Sequence, residues 1–249
     1  MTNVRKDLFR NDGAAIAYHK SEGCQPGVVF LGGFMSDMEG TKAVALEKHC
    51  QRQGRAYLRF DYQGHGQSSG KFTDGTIGIW TEDALYAIDQ LTSGPQILVG
   101  SSMGGWIMML VALARPNRIA GLVGVAAAPD FTESFMWKHF PSKVKKILLR
   151  DKIYYQPSEF SDSPYPITLN LIENGRKHLL LKKALDIQCE VHLLQGMKDE
   201  AVPWQHTIEI SRALLSESIT ITLIKDGDHR LSRDTDLKKI FAAVDSFAT

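Results

Sequence analysis

Between residues 28 and 224 the chain carries short apolar runs, most of them continuous rather than alternating. They are Val28-Val29-Phe30-Leu31, Ala56-Tyr57-Leu58-Arg59-Phe60, Ile97-Leu98-Val99, Leu122-Val123-Gly124-Val125, Val191-His192-Leu193-Leu194 and Ile219–Ile224. A strand that is apolar on both faces has to be covered on both faces. Helical patterns fill several of the gaps and predict helices over residues 80–91, 103–115, 207–215 and 235–247. The second of these is apolar nearly all round, as a buried central helix must be, and it stops before Pro116. Ser36-Asp37-Met38-Glu39 has the form of a capping box for one more helix, for which Gly54 is the stop. Strands that alternate with helices give right-handed crossovers and a mostly parallel sheet, here of about eight strands, with helices on both faces. Only the start departs from this pattern. Residues 7–10 and 14–19 flank Asn11-Asp12-Gly13, which reads as a hairpin turn because glycine tolerates positive φ.

One stretch breaks the alternation. Residues 130–183 hold no clear core strand but carry Phe131, Phe135, Met136, Trp137 and Phe140, then a basic run, then Pro157, Pro164 and Pro166. This predicts a lid insertion with exposed aromatics within a single domain spanning residues 1–249. A hydrophobic share of 43% and a charged share of 23% are those of an ordered globular chain. A formal charge of +1 argues against a nucleic-acid binder, and no apolar run approaches the ~18 residues that a stable membrane span needs. Cys24, Cys50 and Cys189 are few and scattered, which favours reduced core thiols over disulfides or zinc. The first twenty residues lack the apolar core of a secretory signal. The expected location is therefore the cytosol, or the mitochondrial matrix if a transit peptide has been removed.

Chemistry enters at Gly100-Ser101-Ser102-Met103-Gly104, a G-x-S-x-G motif between an apolar strand and an apolar helix. That setting makes a nucleophile elbow, with Ser102 on a sharp turn and free helix N–H groups aimed at a developing oxyanion. A serine hydroxyl needs a base and an orienting acid. Of the eight histidines, His229 lies in a loop after the last strand, and Asp199 lies just beyond the strand before it. The order Ser102, Asp199, His229 is the one found in α/β-hydrolases. Glu200 is the rival acid, and His65 is better read as part of a tight loop. The oxyanion hole is expected to use the backbone amides of Met103 and Phe34, the latter from the turn Gly32-Gly33-Phe34-Met35. Gly64, Gly66 and Gly70 miss the dinucleotide spacing, Gly100 to Gly105 lacks a P-loop ending, and no H-E-x-x-H occurs, so no cofactor and no metal is expected.

With these residues in view the chain resembles the α/β-hydrolase superfamily over nearly its whole length, including Phe60-Asp61-Tyr62-Gln63-Gly64-His65-Gly66-Gln67-Ser68. Within it, the chain is similar to the serine hydrolases related to a mitochondrial palmitoyl-protein thioesterase that also cleaves mycophenolic acid acyl-glucuronide. That likeness is carried by residues 36–43, by Ser101-Ser102-Met103-Gly104-Gly105-Trp106, by Gly196-Met197-Lys198-Asp199 with Val202-Pro203-Trp204, and by Asp228-His229-Arg230. The resemblance implies that nucleophile, acid and base fall on Ser102, Asp199 and His229. The expected activity is hydrolysis of a small-molecule ester or thioester, or of an acylated protein. A C–C bond hydrolase, a peptidase and a non-catalytic binding protein are the alternatives, and the oligomeric state is left open.

Overall fold

The computed structural model describes residues 5–157 and 164–247. Strands β1 (Lys6–Phe9) and β2 (Ala15–Ser21) form the expected hairpin, with Lys6 opposite Tyr18 and Phe9 opposite Ala15. Then come β3 (Cys24–Leu31), α1 (Thr41–Arg52), β4 (Arg55–Phe60), α2 (Ile77–Leu91), β5 (Gln96–Ser101), α3 (Met103–Ala114) and β6 (Ile119–Val125). An excursion follows that contains α4 (Ser142–Asp151), β7 (Ile153–Gln156), β8 (Tyr165–Thr168) and α5 (Leu169–Lys177). The chain returns through β9 (Glu190–Gly196), α6 (Trp204–Ala213), β10 (Ile219–Ile224) and α7 (Asp234–Asp245). Eight strands form one sheet in the order β1-β2-β4-β3-β5-β6-β9-β10. β2 runs antiparallel to both its neighbours, and every other pairing is parallel, as the sequence predicts.

The continuity of the apolar runs has a direct cause. Successive side chains point to opposite faces, and each face has its own helical cover. Val29, Leu31, Leu98, Leu122 and Leu193 face the core shared with α2, α3 and α6. Val28, Phe30, Ile97, Val99, Val123 and Leu194 face the core shared with α1 and α7. Trp80 and Trp106 are fully buried in the first core, and each satisfies its indole N–H on a carbonyl, of Gln63 and His178 respectively, at 3.0 Å. Among the described residues no helix is long and apolar enough to cross a membrane.

The structure corrects several expectations. α1 starts at Thr41, and Gly40 at its N-cap donates no side-chain cap, so residues 36–39 are not a capping box. Their groups are engaged elsewhere: Asp61 accepts the Met38 N–H at 2.7 Å, and the Glu39 carboxylate accepts from Arg59 at 2.7 Å. The aromatics between Phe131 and Phe140 are not exposed. Phe131 is buried, and Phe135, Trp137 and Phe140 are half-buried. Residues Thr132–Trp137 form a π-helical turn, and β7 and β8 pair in a separate antiparallel ribbon that the sequence pattern did not reveal. Part of the basic run is structural too, since Lys145 lies over the Trp137 ring at 5.6 Å, as does Arg176 of α5 at 4.6 Å. Only Cys50 is a core thiol. Cys24 is exposed and Cys189 half-buried.

The excursion is pinched at its base. Asp130, buried and at φ 61°, accepts the backbone N–H groups of Leu180 and Leu181 at 2.8 and 3.0 Å. Residues 158–163 of the expected insertion lie outside the described residues.

His65 follows β4 and is buried against the rings of Tyr62, Phe72 and Trp80, with centroids 5.6, 5.0 and 5.0 Å away. Burial pushes its imidazole from the ordinary 6.5 down to about 4, opposed by a contact with the Gln63 carbonyl. Folding therefore favours the neutral ring. Its contribution to stability is intact above pH 6.5 and is lost as pH falls toward 4. Between pH 7 and 5 the loss should be about 2 kcal/mol. Urea unfolding of wild type and His65→Phe at both pH values measures this, and the variant should lose correspondingly less on acidification. An equal acid loss in both proteins would contradict it.

Candidate active site

The candidate residues all lie beyond the carboxyl ends of parallel strands. Such strand ends are where open α/β sheets bind ligands. β5 runs directly into Ser102, which holds φ 54° and ψ −118° before α3 begins at Met103. A β-carbon on Gly104 would sit 2.0 Å from the Leu31 carbonyl oxygen, and one on Gly100 would sit 2.5 Å from that of Gly104. The glycines of G-x-S-x-G therefore let α3, β5 and β3 meet backbone to backbone. The Ser102 N–H donates to Val125 at 2.9 Å and its carbonyl accepts from Ala128 at 3.0 Å, which ties the turn to the end of β6.

Asp199 and His229 reach the same place because the ends of β9 and β10 nearly touch. A β-carbon on Gly196 would lie 2.4 Å from the Gly227 carbonyl oxygen, and Lys198 N–H donates to that carbonyl at 2.9 Å. His229 Nε2 lies 3.1 Å from Ser102 Oγ, and His229 Nδ1 lies 2.7 Å from Asp199 Oδ2. The Asp199 side chain is fully buried, and that of His229 is 21% exposed. A buried carboxylate needs its lone pairs filled. Asp199 Oδ1 accepts from the amides of Ala201 and Val202 at 2.9 and 2.8 Å, and Oδ2 also accepts from Gln195 Nε2 at 2.9 Å. Glu200, the rival acid, is exposed on the cavity rim and does not bond to His229.

Sequence reasoning missed Gln195 and Asp61. Gln195 is buried in β9, and its amide is held by Thr207, 3.2 Å from Oε1, so its N–H points at Asp199. The available signal was a glutamine inside an otherwise apolar run. Asp61 accepts Met38 N–H and Gln67 N–H at 2.7 and 2.8 Å and so joins the turn carrying Phe34 to the loop carrying His65. His65 itself does not line the cavity. It sits one ring behind Phe34, through Phe72 and Trp80.

The backbone at Gly33 comes close to Ser102, for a β-carbon there would be 3.4 Å from that of Ser102. The next amide, of Phe34, and the amide of Met103 at the start of α3 have no acceptor among the described residues. Around these groups lies a cavity of about 450 Å³. One side is apolar, with Phe34, Phe131, Phe135, Met136 and Tyr165, and the other carries Lys42, Glu200 and Arg230. Lys42, from α1, donates to the Arg230 carbonyl and lies 3.5 Å from Ser232 Oγ, bracing the segment after His229. Burial pushes its ammonium down to about 8; Asp228 and Asp236 oppose the shift and Arg230 adds to it.

Residues 26–152 match the family model described as alpha/beta hydrolase fold. The chain is 39% identical over 239 residues to the mitochondrial palmitoyl-protein thioesterase ABHD10 of Bos taurus, across 96% of this chain and 78% of that protein. The corresponding Homo sapiens protein is 38% identical over the same shares. Among solved structures, alpha/beta hydrolase domain-containing protein 10 from mouse superposes with a TM-score of 0.91 at 36% identity, covering 98% of this chain and 97% of that one. A putative hydrolase from Agrobacterium vitis S4 gives 0.95 at 35% identity, with both chains fully covered.

The backbone contact at Gly104 yields a stability test. Gly104→Ala should cost at least about 3 kcal/mol in chemical denaturation, or leave no folded protein, because no flexible side chain can yield there. Gly32→Ala, whose added carbon meets nothing within 4 Å, should change stability by less than about 1 kcal/mol.

Proposed function

This chain belongs to the α/β-hydrolase family, and on that premise we propose that it cleaves carboxylic esters or thioesters through Ser102, His229 and Asp199 by way of an acyl-enzyme. The observation that carries the reading is the unbroken hydrogen-bonded line from Ser102 Oγ through His229 to buried Asp199, opening onto a cavity with two free amides. His229 Nε2 takes the Ser102 proton as Oγ attacks the acyl carbonyl. The Met103 and Phe34 N–H groups stabilise the oxyanion that forms, a contribution of about 10²–10³ per donor in known cases. Asp199 accepts the Nδ1–H, fixes the tautomer and stabilises the imidazolium. His229 then gives its proton to the departing alcohol or thiol, leaving the acyl group on Ser102. In the second half His229 deprotonates water, which attacks the acyl-enzyme, and the acid leaves as Oγ recovers its proton.

The excursion covers the cavity as a lid, and its aromatic side suits an apolar acyl or aryl group. The name of the relatives, palmitoyl-protein thioesterase, supports acylated protein thiols as one substrate class. A reducing compartment, the cytosol or the mitochondrial matrix, suits three free thiols.

Ser102→Ala should abolish turnover and labelling by a fluorophosphonate probe. Asp199→Asn should lower kcat by about 10⁴ while the protein stays folded. A purified, folded Ser102→Ala protein that still hydrolyses para-nitrophenyl esters or acyl thioesters at the wild-type rate would defeat the mechanism.

A further inference from the structure

Among the described residues, six buried side-chain polar atoms lack a hydrogen-bond partner: Nδ1 of His19, Oγ of Ser21, an Nη of Arg55, Nε2 of His65, Oγ1 of Thr132 and Oε1 of Gln156. Only Gln156 also lines the cavity around Ser102. It ends β7 opposite Tyr165 of β8, and Tyr165 packs edge-on to Phe34 with centroids 6.1 Å apart. Phe34 in turn meets Phe131 at 5.7 Å. Gln156 thus belongs to the aromatic side of the cavity, away from any acyl-enzyme chemistry of its own. Neither the Tyr165 hydroxyl nor any other described group donates to its carbonyl.

An amide carbonyl shut away from water and left unpaired is a cost that a ligand can relieve. The terminal torsion of glutamine is broad, so rotation about it can bring Oε1 to the cavity that the residue lines. A bound group with a donor at that point gains the hydrogen bond, whereas its apolar analogue leaves the carbonyl unpaired. Sites built this way discriminate by the missing bond more than by shape. A plain alkyl chain needs no such acceptor in its pocket.

We propose that Gln156 is a specificity-determining residue that selects acyl groups bearing a hydroxyl within the aromatic part of the cavity, the hydroxyl donating to Gln156 Oε1. The proposal rests on the reading that Ser102 is the acylated residue, which places the acyl group beside this wall. It extends that reading to a substrate class, hydroxyalkanoyl and hydroxyaryl esters or thioesters.

The test compares kcat/KM within matched pairs of para-nitrophenyl esters: 3-phenylpropanoate with its para-hydroxyl derivative, and dodecanoate with ω-hydroxydodecanoate. Wild type should favour the hydroxylated member of at least one pair by about tenfold. In Gln156→Leu that ratio should fall to near one, and in Gln156→Glu, which keeps an acceptor oxygen, it should persist. Because each ratio is taken within one protein, a change in folded fraction cancels. Ratios that are the same in wild type and Gln156→Leu would overturn the proposal. So would a Gln156-dependent preference found only on the leaving-group side, measured with one acyl group on N-acetylcysteamine and on butanethiol. Hydrolysis of both members that disappears in Ser102→Ala would leave the catalytic reading standing in either case. Failure of wild type to turn over any of these esters or thioesters would instead remove the catalytic reading, and the proposal with it.

Discussion

Helix α3 starts directly against the end of β3, and it can do so only because residue 104 has no side chain. That backbone contact places the free N–H groups of the helix under the turn that carries Phe34, within one short step of Ser102. It also forces the polypeptide at Ser102 into a left-handed conformation, which non-glycine residues hold only when their surroundings insist. The insistence comes from Val125 and Ala128, whose backbones bond both sides of the Ser102 peptide. The arrangement of Ser102 and the amides of Phe34 and Met103 is thus a property of the sheet.

The meeting of Asp199 with His229 depends on a second approach of the same kind, between Gly196 and Gly227. With the ends of β9 and β10 that close, two short loops bring a carboxylate and an imidazole into line without long, entropically costly reach. The carboxylate is then immobilised by three N–H donors besides the imidazole. Its geometry toward His229 is thus fixed by Gln195 and by the backbone amides of Ala201 and Val202.

Much of this was legible in the sequence, for identifiable reasons. The continuous runs from Val28 to Leu194 report strands with two covered faces, and both faces are covered. The glycines around Ser102 report a close approach, and the order of Ser102, Asp199 and His229 reports which strand ends must meet. What was not legible depends on partners distant in sequence. The pattern at residues 36–39 satisfies a local helix rule, but Asp61 and Arg59 compete for its groups and win. The aromatics from Phe131 to Phe140 look exposed until Trp106, Phe34 and His206 are seen packing on Phe131 and Phe135. The Gln195 contact needs the return of the chain at Asp199, and the ribbon of β7 and β8 pairs short segments with no strong period of their own.

The pinch at Asp130 divides the molecule in an unexpected place. One carboxylate holds both ends of a fifty-residue detour together, by backbone amides that carry no side-chain information. The parallel strands on either side pair with each other directly, Leu122 to Val191 and Val125 to Leu194, as though the detour were absent. Everything above that closure is a cassette. Changes of length between residues 131 and 179 therefore need not disturb the register of β6 against β9.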